Sequence, residues 1–430
     1  MTPKKKPTPK KNPTKPKGKA TPAGARAALG GFAFANPKTT PDDYSGFSKS
    51  DVLGDSAIKA APNLEPFPAS RKPEVLSLDQ VLGTAEVQKI TLAGSIVFHS
   101  VGDTGGIKEP SKQFAVADAM ANDLSGKTWQ AGRPAFFFHL GDVVYYLGQE
   151  RYYYDQFYDP YRDYDAPIFA VPGNHDGMVS PSLKLNTLAG FLANFCTSTP
   201  GHDPEAQGFA RTTMTQPGVY FTLDAPFVKI IGLYSNTSEG GTQGVISGAA
   251  VGNAQLTFLQ QQLNAAAAER QSGNRRALVI AVHHPPFTGS QDHAPSSNVL
   301  TDLDSACQAA KIMPDLVLSG HAHLYERYTR YVGGSQIPFV VAGMGGYFNL
   351  SGFKTSASGA PPKVPAQGSD LQGNKLMLET YDDKTYGFLR LAVSASTLKC
   401  AFVGVDPNTK ATKVKDSFTL DLNRHTVSSP

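Results

Sequence analysis

Five short clusters of oxygen- and nitrogen-bearing side chains each sit directly behind a short apolar run, and that repetition constrains this chain more than any other feature. The clusters are Gly102-Asp103-Thr104-Gly105, Gly141-Asp142-Val143-Val144-Tyr145, Gly173-Asn174-His175-Asp176, His283-His284-Pro285 and Gly320-His321-Ala322-His323. The runs before them, residues 95–99, 135–138, 167–171, 277–282 and 316–318, read as buried strands. Ligands delivered from the ends of successive strands are how an α/β scaffold builds a site. Taken singly, each cluster reads equally well as a turn, a cap or a packed histidine. Taken together they require five coincidences at five strand ends, so the pattern points to a hydrolase with two metal ions.

The residue types suit that chemistry. Hydrolysing a phosphate ester needs a strong nucleophile and charge neutralisation, and two metal ions about 3.5–4 Å apart supply both. Asp142 suits the bridge, because a carboxylate can bond one metal through each oxygen. Asp103 offers a second carboxylate, Asn174 a neutral oxygen, and His283, His321 and His323 imidazoles. His284, next to His283, is an alternative ligand from the residues alone. Tyr145 discriminates between metals. A phenol ordinarily loses its proton near pH 10, and a trivalent ion would drive that loss, so Tyr145 argues for a ferric ion at one position.

The rest of the chain bounds the architecture. It has 430 residues, 40% of them hydrophobic, enough for a large core. No run of 18 apolar residues occurs, so no transmembrane helix is expected. The net charge of +4 is uneven: the first 20 residues hold eight lysines and no acid, leaving 32 basic against 36 acidic residues beyond them. Residues 1–35 are expected to be a disordered Lys/Pro-rich tail, which is either merely solvated or a weak contact to an anionic polymer. Its end, Ala27-Ala28-Leu29-Gly30-Gly31-Phe32-Ala33-Phe34-Ala35, is too short and Gly-broken for a secretory signal. A cytoplasmic location is therefore expected, with the periplasm or the exterior as the alternative. Residues 36–89 read as an extended arm, and 90–425 as the catalytic domain. Three widely spaced cysteines, Cys196, Cys307 and Cys400, suggest neither a zinc ribbon nor a disulfide framework. Helical spacing marks residues 113–124, 253–271 and about 303–312. After Arg327 the pattern turns to strands with few helices between, expected as antiparallel strands completing a second sheet. His99 and His139 sit within strands and read as packing residues. The tyrosines at 152–154, 158, 161 and 164 read as core cover.

The five clusters, in this order, resemble the pattern of purple acid phosphatases within the calcineurin-like metallophosphoesterases. The resemblance spans residues 95–425 and includes Tyr325-Glu326-Arg327 and the late Asp416-Ser417-Phe418. It implies an α+β fold (α/β/β/α), two mixed β-sheets packed as a sandwich flanked by helices. It implies hydrolysis of phosphate monoesters by in-line attack of a metal-bound hydroxide, with a small phosphorylated substrate. It also implies a ligand set: a ferric ion held by Asp103, Asp142, Tyr145 and His323, and a divalent ion (iron, zinc or manganese) held by Asp142, Asn174, His283 and His321. Family usage, a His followed by any residue and Pro, selects His283 over His284. His175 and His293 would be catalytic groups outside the metal shells that, with Asn174, touch the substrate phosphate, His293 assisting departure of the alcohol. Residues 36–85 are too short for the N-terminal β-sandwich of the large plant-type enzymes, so their dimer geometry is not carried over. Two other functions fit the same residues: a phosphodiesterase acting on cyclic nucleotides or nucleic acid with two divalent metals, and a non-catalytic metal- or phosphate-binding module.

Overall fold

A computed structural model of the protein describes residues 67–178, 186–236, 244–356 and 359–429. The tail at 1–35 and most of the expected arm lie outside these residues. Among the described residues the chain forms two sheets. One has nine strands in the order β1 (Val75–Ser77), β5 (Phe221–Ala225), β6 (Val228–Leu233), β7 (Ala277–Val282), β8 (Leu316–Ser319), β10 (Ser335–Ala342), β9 (Tyr325–Val332), β12 (Lys375–Asp382) and β11 (Ala366–Ser369). The other has seven, in the order β16 (Thr426–Ser428), β15 (Thr412–Asp421), β14 (Thr397–Val405), β13 (Tyr386–Ser394), β2 (Ser95–Val101), β3 (Pro134–His139) and β4 (Ile168–Ala170). The helices are α1 (Asp79–Leu82), α2 (Thr84–Leu92), α3 (Ser111–Leu124), α4 (Asn174–Gly177), α5 (Ala189–Phe195), α6 (Ala254–Gln271) and α7 (Ser297–Ala310). This is the α+β architecture of two mixed sheets with flanking helices. None of these helices is long and apolar enough to cross a membrane.

Two parallel trios set the layout. β2, β3 and β4 are parallel neighbours in one sheet, and β6, β7 and β8 in the other. Their apolar runs are continuous because both faces are covered: every residue of β3, β6 and β7 is buried. The sheets meet through large rings. Phe138 of β3 lies 6.1 Å from Phe221 of β5, ring centre to ring centre. Gly232 of β6 sits against Phe138 and Val171 with no room for a Cβ. The outer face of β3 is covered by the tyrosine cluster, with Phe137 against Tyr161 and Tyr164. All three cysteines are free.

Three differences from the sequence reading have physical causes. First, helix α7 begins earlier than residue 303, because the Ser296 hydroxyl accepts the Val299 N–H at 3.2 Å and caps it. Its apolar face, Val299, Leu300, Leu303, Ala306, Cys307 and Ala310, then has regular helical spacing. Second, only the last four of the late strands complete the second sheet as expected. β9 to β12 extend the nine-stranded sheet, whereas β13 pairs antiparallel with β2 and carries β14 to β16 into the other. The edge of β2 would otherwise present unpaired backbone groups. Third, part of the stretch read as an arm is regular. β1 pairs in parallel with β5, Leu76 opposite Leu223, and α1 and α2 follow it.

Candidate metal centre

The parallel strands end on the same side of the sandwich, and their following loops carry the five clusters. Three cluster residues hold left-handed backbone: Asp103 (φ 58°), Asp142 (φ 54°) and His321 (φ 68°). A non-glycine residue there costs on the order of 1–2 kcal/mol, which surrounding structure must over-determine. Here it does. Asp103 N–H donates to the Gly141 carbonyl (2.9 Å), and His321 N–H donates to Asp103 Oδ2 (2.8 Å). Glycines flank the ligands because there is no space for more: a Cβ on Gly173 would collide with the Asp142 carboxylate, and one on Gly320 or Gly343 with that of Asp103.

Seven side chains named from the sequence come together. Asp103, Asp142 and His283 offer ligand atoms that all lie within 4.8 Å of one another, and all three are buried. On one side the Tyr145 hydroxyl donates to Asp103 Oδ1 (3.1 Å) and lies 3.3 Å from His323 Nε2. On the other, His283 Nε2 lies 3.2 Å from Asn174 Oδ1 and 3.4 Å from Asp142 Oδ2. Asp142 also reaches toward Tyr145, so it stands between the two groups. The His321 ring lies 5.2 Å from that of His283. His284 turns its Nδ1 to the Ser235 hydroxyl at 2.8 Å, while its ring packs 4.1 Å from that of His321. The remaining two, His175 and His293, are half-buried at the mouth. His175 Nδ1–H donates to the Tyr146 carbonyl (2.7 Å), and the His293 ring lies 4.5 Å from His321 and 4.9 Å from His323.

The donor set fits cations. His283 Nδ1–H donates to the Leu140 carbonyl (2.8 Å), which fixes its tautomer and leaves Nε2 to the cluster. Burial opposes a charge on His283, yet the carboxylates of Asp142 and Asp103 raise it to about 9. Burial, then the neighbouring His284 and His293, hold His321 well below its ordinary range and therefore neutral, the form in which imidazole binds metal. Burial, then Asp103 and Asp142, push the Tyr145 phenol well above 10. Only a strong local positive charge would reverse that order.

Several supporting residues escaped the sequence reading. Asp176 is buried and accepts from Gly173 N–H (2.8 Å), Val143 N–H (3.0 Å) and Val144 N–H (3.2 Å), clamping the second cluster to the third. It was visible in Gly-Asn-His-Asp, but its partners were not. His139 accepts the Gly141 N–H (3.1 Å) on Nδ1 and so donates from Nε2 to Thr104 (2.8 Å), tying two ligand loops together. Tyr347 N–H donates to the Asp103 carbonyl (2.9 Å), and its ring covers Tyr145 and His323. Its one sequence signal was its place after Gly345-Gly346.

Among solved structures, GAP50, described as the anchor in the inner membrane complex of Plasmodium, is 16% identical, with 76% of this chain and 89% of that chain covered and a TM-score of 0.49. PhoD is 12% identical, with 78% and 71% covered and a TM-score of 0.43. A putative 5′-nucleotidase from Staphylococcus aureus is 13% identical, with 76% and 54% covered and a TM-score of 0.31. No curated protein matches the sequence. The family model for calcineurin-like phosphoesterases matches residues 97–325, a span that contains all five clusters. The chain therefore belongs to the calcineurin-like phosphoesterases and is a metal-dependent phosphoester hydrolase.

Proposed function

We propose that this protein is a phosphate monoesterase of the purple acid phosphatase type. Residues 90–425 would be its catalytic unit. The observation that carries this reading is Tyr145, whose hydroxyl lies 3.1 Å from Asp103 Oδ1 and 3.3 Å from His323 Nε2. A buried phenol among carboxylates is a poor donor to a divalent ion and a good one to a trivalent ion, which can hold it as phenolate. Asp103, Asp142, Tyr145 and His323 would hold a ferric ion; Asp142, Asn174, His283 and His321 would hold iron, zinc or manganese in the divalent state. The pair would supply a water of lowered pKa and neutralise charge on the phosphate.

The chain's own residues do the rest. Asn174 and His175 orient the phosphate at the mouth. His175 spends Nδ1–H on the Tyr146 carbonyl, which leaves Nε2 for substrate. His293 Nδ1 lies 3.4 Å from the Ser351 hydroxyl, and Nε2 is its remaining nitrogen. Burial, then His323, pull His293 down to about 3 in the free site. A bound phosphate dianion brings the negative charge that restores a proton to Nε2, from which it passes to the leaving alcohol. The test is the visible spectrum of iron-reconstituted protein beside its Tyr145→Phe variant, with a chromogenic monoester and diester assayed on both. A tyrosinate-to-iron band that disappears in the variant, with monoester turnover, is expected. No band, and turnover of the diester with manganese or zinc, would instead make the protein a divalent-metal phosphodiesterase.

A further inference from the structure

The metal-ligand side chains are buried, but the mouth above them is aromatic and partly open. Tyr146, Tyr347 and Phe348 are each only half-buried. The Tyr347 ring lies 4.3 Å from Tyr145, 4.4 Å from His323 and 4.7 Å from Phe348. Tyr347 and Tyr146 are joined through their hydroxyls. The His323 ring packs against both Tyr347 and His293, whose ring centres lie 4.4 Å and 4.9 Å away. Lys108 holds its ammonium 4.1 Å over the Phe348 ring and 5.9 Å over Tyr146, and it has no carboxylate within ion-pair distance among the described residues. So rings meet a substrate where its leaving group would emerge, beside a cation that draws anionic esters in.

From this geometry we infer that Tyr347 and Tyr146 select phosphate esters whose leaving group carries a planar ring. The inference rests on the phosphoesterase reading above and names its substrate class. An aliphatic leaving group would only cover the two faces. A flat ring can lie offset on one of them and edge-on to the other, the arrangements aromatic pairs prefer. The tyrosines are braced for this. The Tyr347 backbone is tied to the Asp103 loop, and its side chain bonds to that of Tyr146.

The test uses phenethyl phosphate and butyl phosphate. Both release primary alcohols, so the bond broken is the same and the ring is the difference. Metal-loaded full-length protein and the Tyr347→Leu and Tyr146→Leu variants are compared by the ratio of kcat/KM for the two esters. Metal content is measured alongside. Affinities for phenethylphosphonate and butylphosphonate, which cannot be hydrolysed, are measured by calorimetry on the same samples. The wild type should favour the ring by about tenfold, and each variant should lose most of that preference. Equal kcat/KM in the wild type, or a preference both variants keep, overturns the inference. If neither ester turns over, the phosphoesterase reading fails, and the phosphonates decide the inference separately. A ring preference in affinity that the variants lose upholds it, and equal affinities overturn it.

Discussion

Glu326 follows His323 by three residues and is fully buried. Its Oε1 accepts the Gly289 N–H at 2.7 Å, and its Oε2 has no hydrogen-bond partner. Burial raises its carboxyl from the ordinary 4.5 to about 7, only partly offset by the Gly289 bond and by the Thr288 and Tyr328 hydroxyls. In the unfolded chain the group ionises near 4.5; in the folded protein it keeps its proton until about 7. Folding therefore binds a proton between these values, and stability falls as pH rises through them. The full cost above pH 7 is about 3 kcal/mol, the free-energy equivalent of that pKa difference. Glu326→Gln removes the ionisation, and its amide oxygen can still accept from Gly289. The new NH2 group meets few acceptors, at a cost of about 1 kcal/mol. The variant should thus be about 2 kcal/mol more stable than wild type at pH 8.5 and no more stable at pH 5. Urea unfolding of both proteins across this range isolates Glu326, because every other titrating group cancels in the difference. A stability difference independent of pH would refute the reasoning.

Other perturbations test the centre itself. Asp142→Asn should lose most turnover and bound metal together, because Asp142 stands between the two donor groups; unchanged metal content would remove it from the bridge. His283→Ala should cost one metal ion per chain, whereas His284→Ala, which loses the pairing with Ser235 and ring packing against His283 and His321 but no ligand atom, should keep both. Metal analysis of the two variants gives the answer, and the reverse pattern would move the ligand by one residue. Asp176→Ala should lower stability by at least about 3 kcal/mol, since three buried backbone N–H groups lose their acceptor. A melting temperature within a degree of wild type would mean that water or another acceptor takes its place.

Much of this protein was legible in its sequence. The runs ahead of Asp103, Asp142, Asn174, His283 and His321 are continuous and apolar because those strands are covered on both faces, and such runs announce themselves in one dimension. Helices α3 and α6 were equally plain, since their apolar spacing is local. The seven side chains that meet at the centre could be named because each lies just after a strand, and the parallel neighbours within each of the two sheets end on one side. The early start of α7 was missed because its first residue is set by a single serine cap.

The tertiary structure alone decided the rest, and the reason is distance along the chain. β13 joins the sheet of β2 although nearly 300 residues separate them, and alternation in a strand does not say which edge it will pair with. His283 and His284 are adjacent and chemically identical; the family resemblance selected His283, but nothing in the residues themselves gives the reason. Packing does, by placing the Leu140 carbonyl and Asp142 beside one and Ser235 beside the other. The Tyr347 ring reaches Tyr145 and His323 across a Gly-rich turn whose close approach to Asp103 exists only in the folded chain. Sequence thus determined which chemical groups the strand ends deliver, because that follows from local pattern. Folding determined their orientation and their neighbours, because those depend on contacts between residues far apart in the chain.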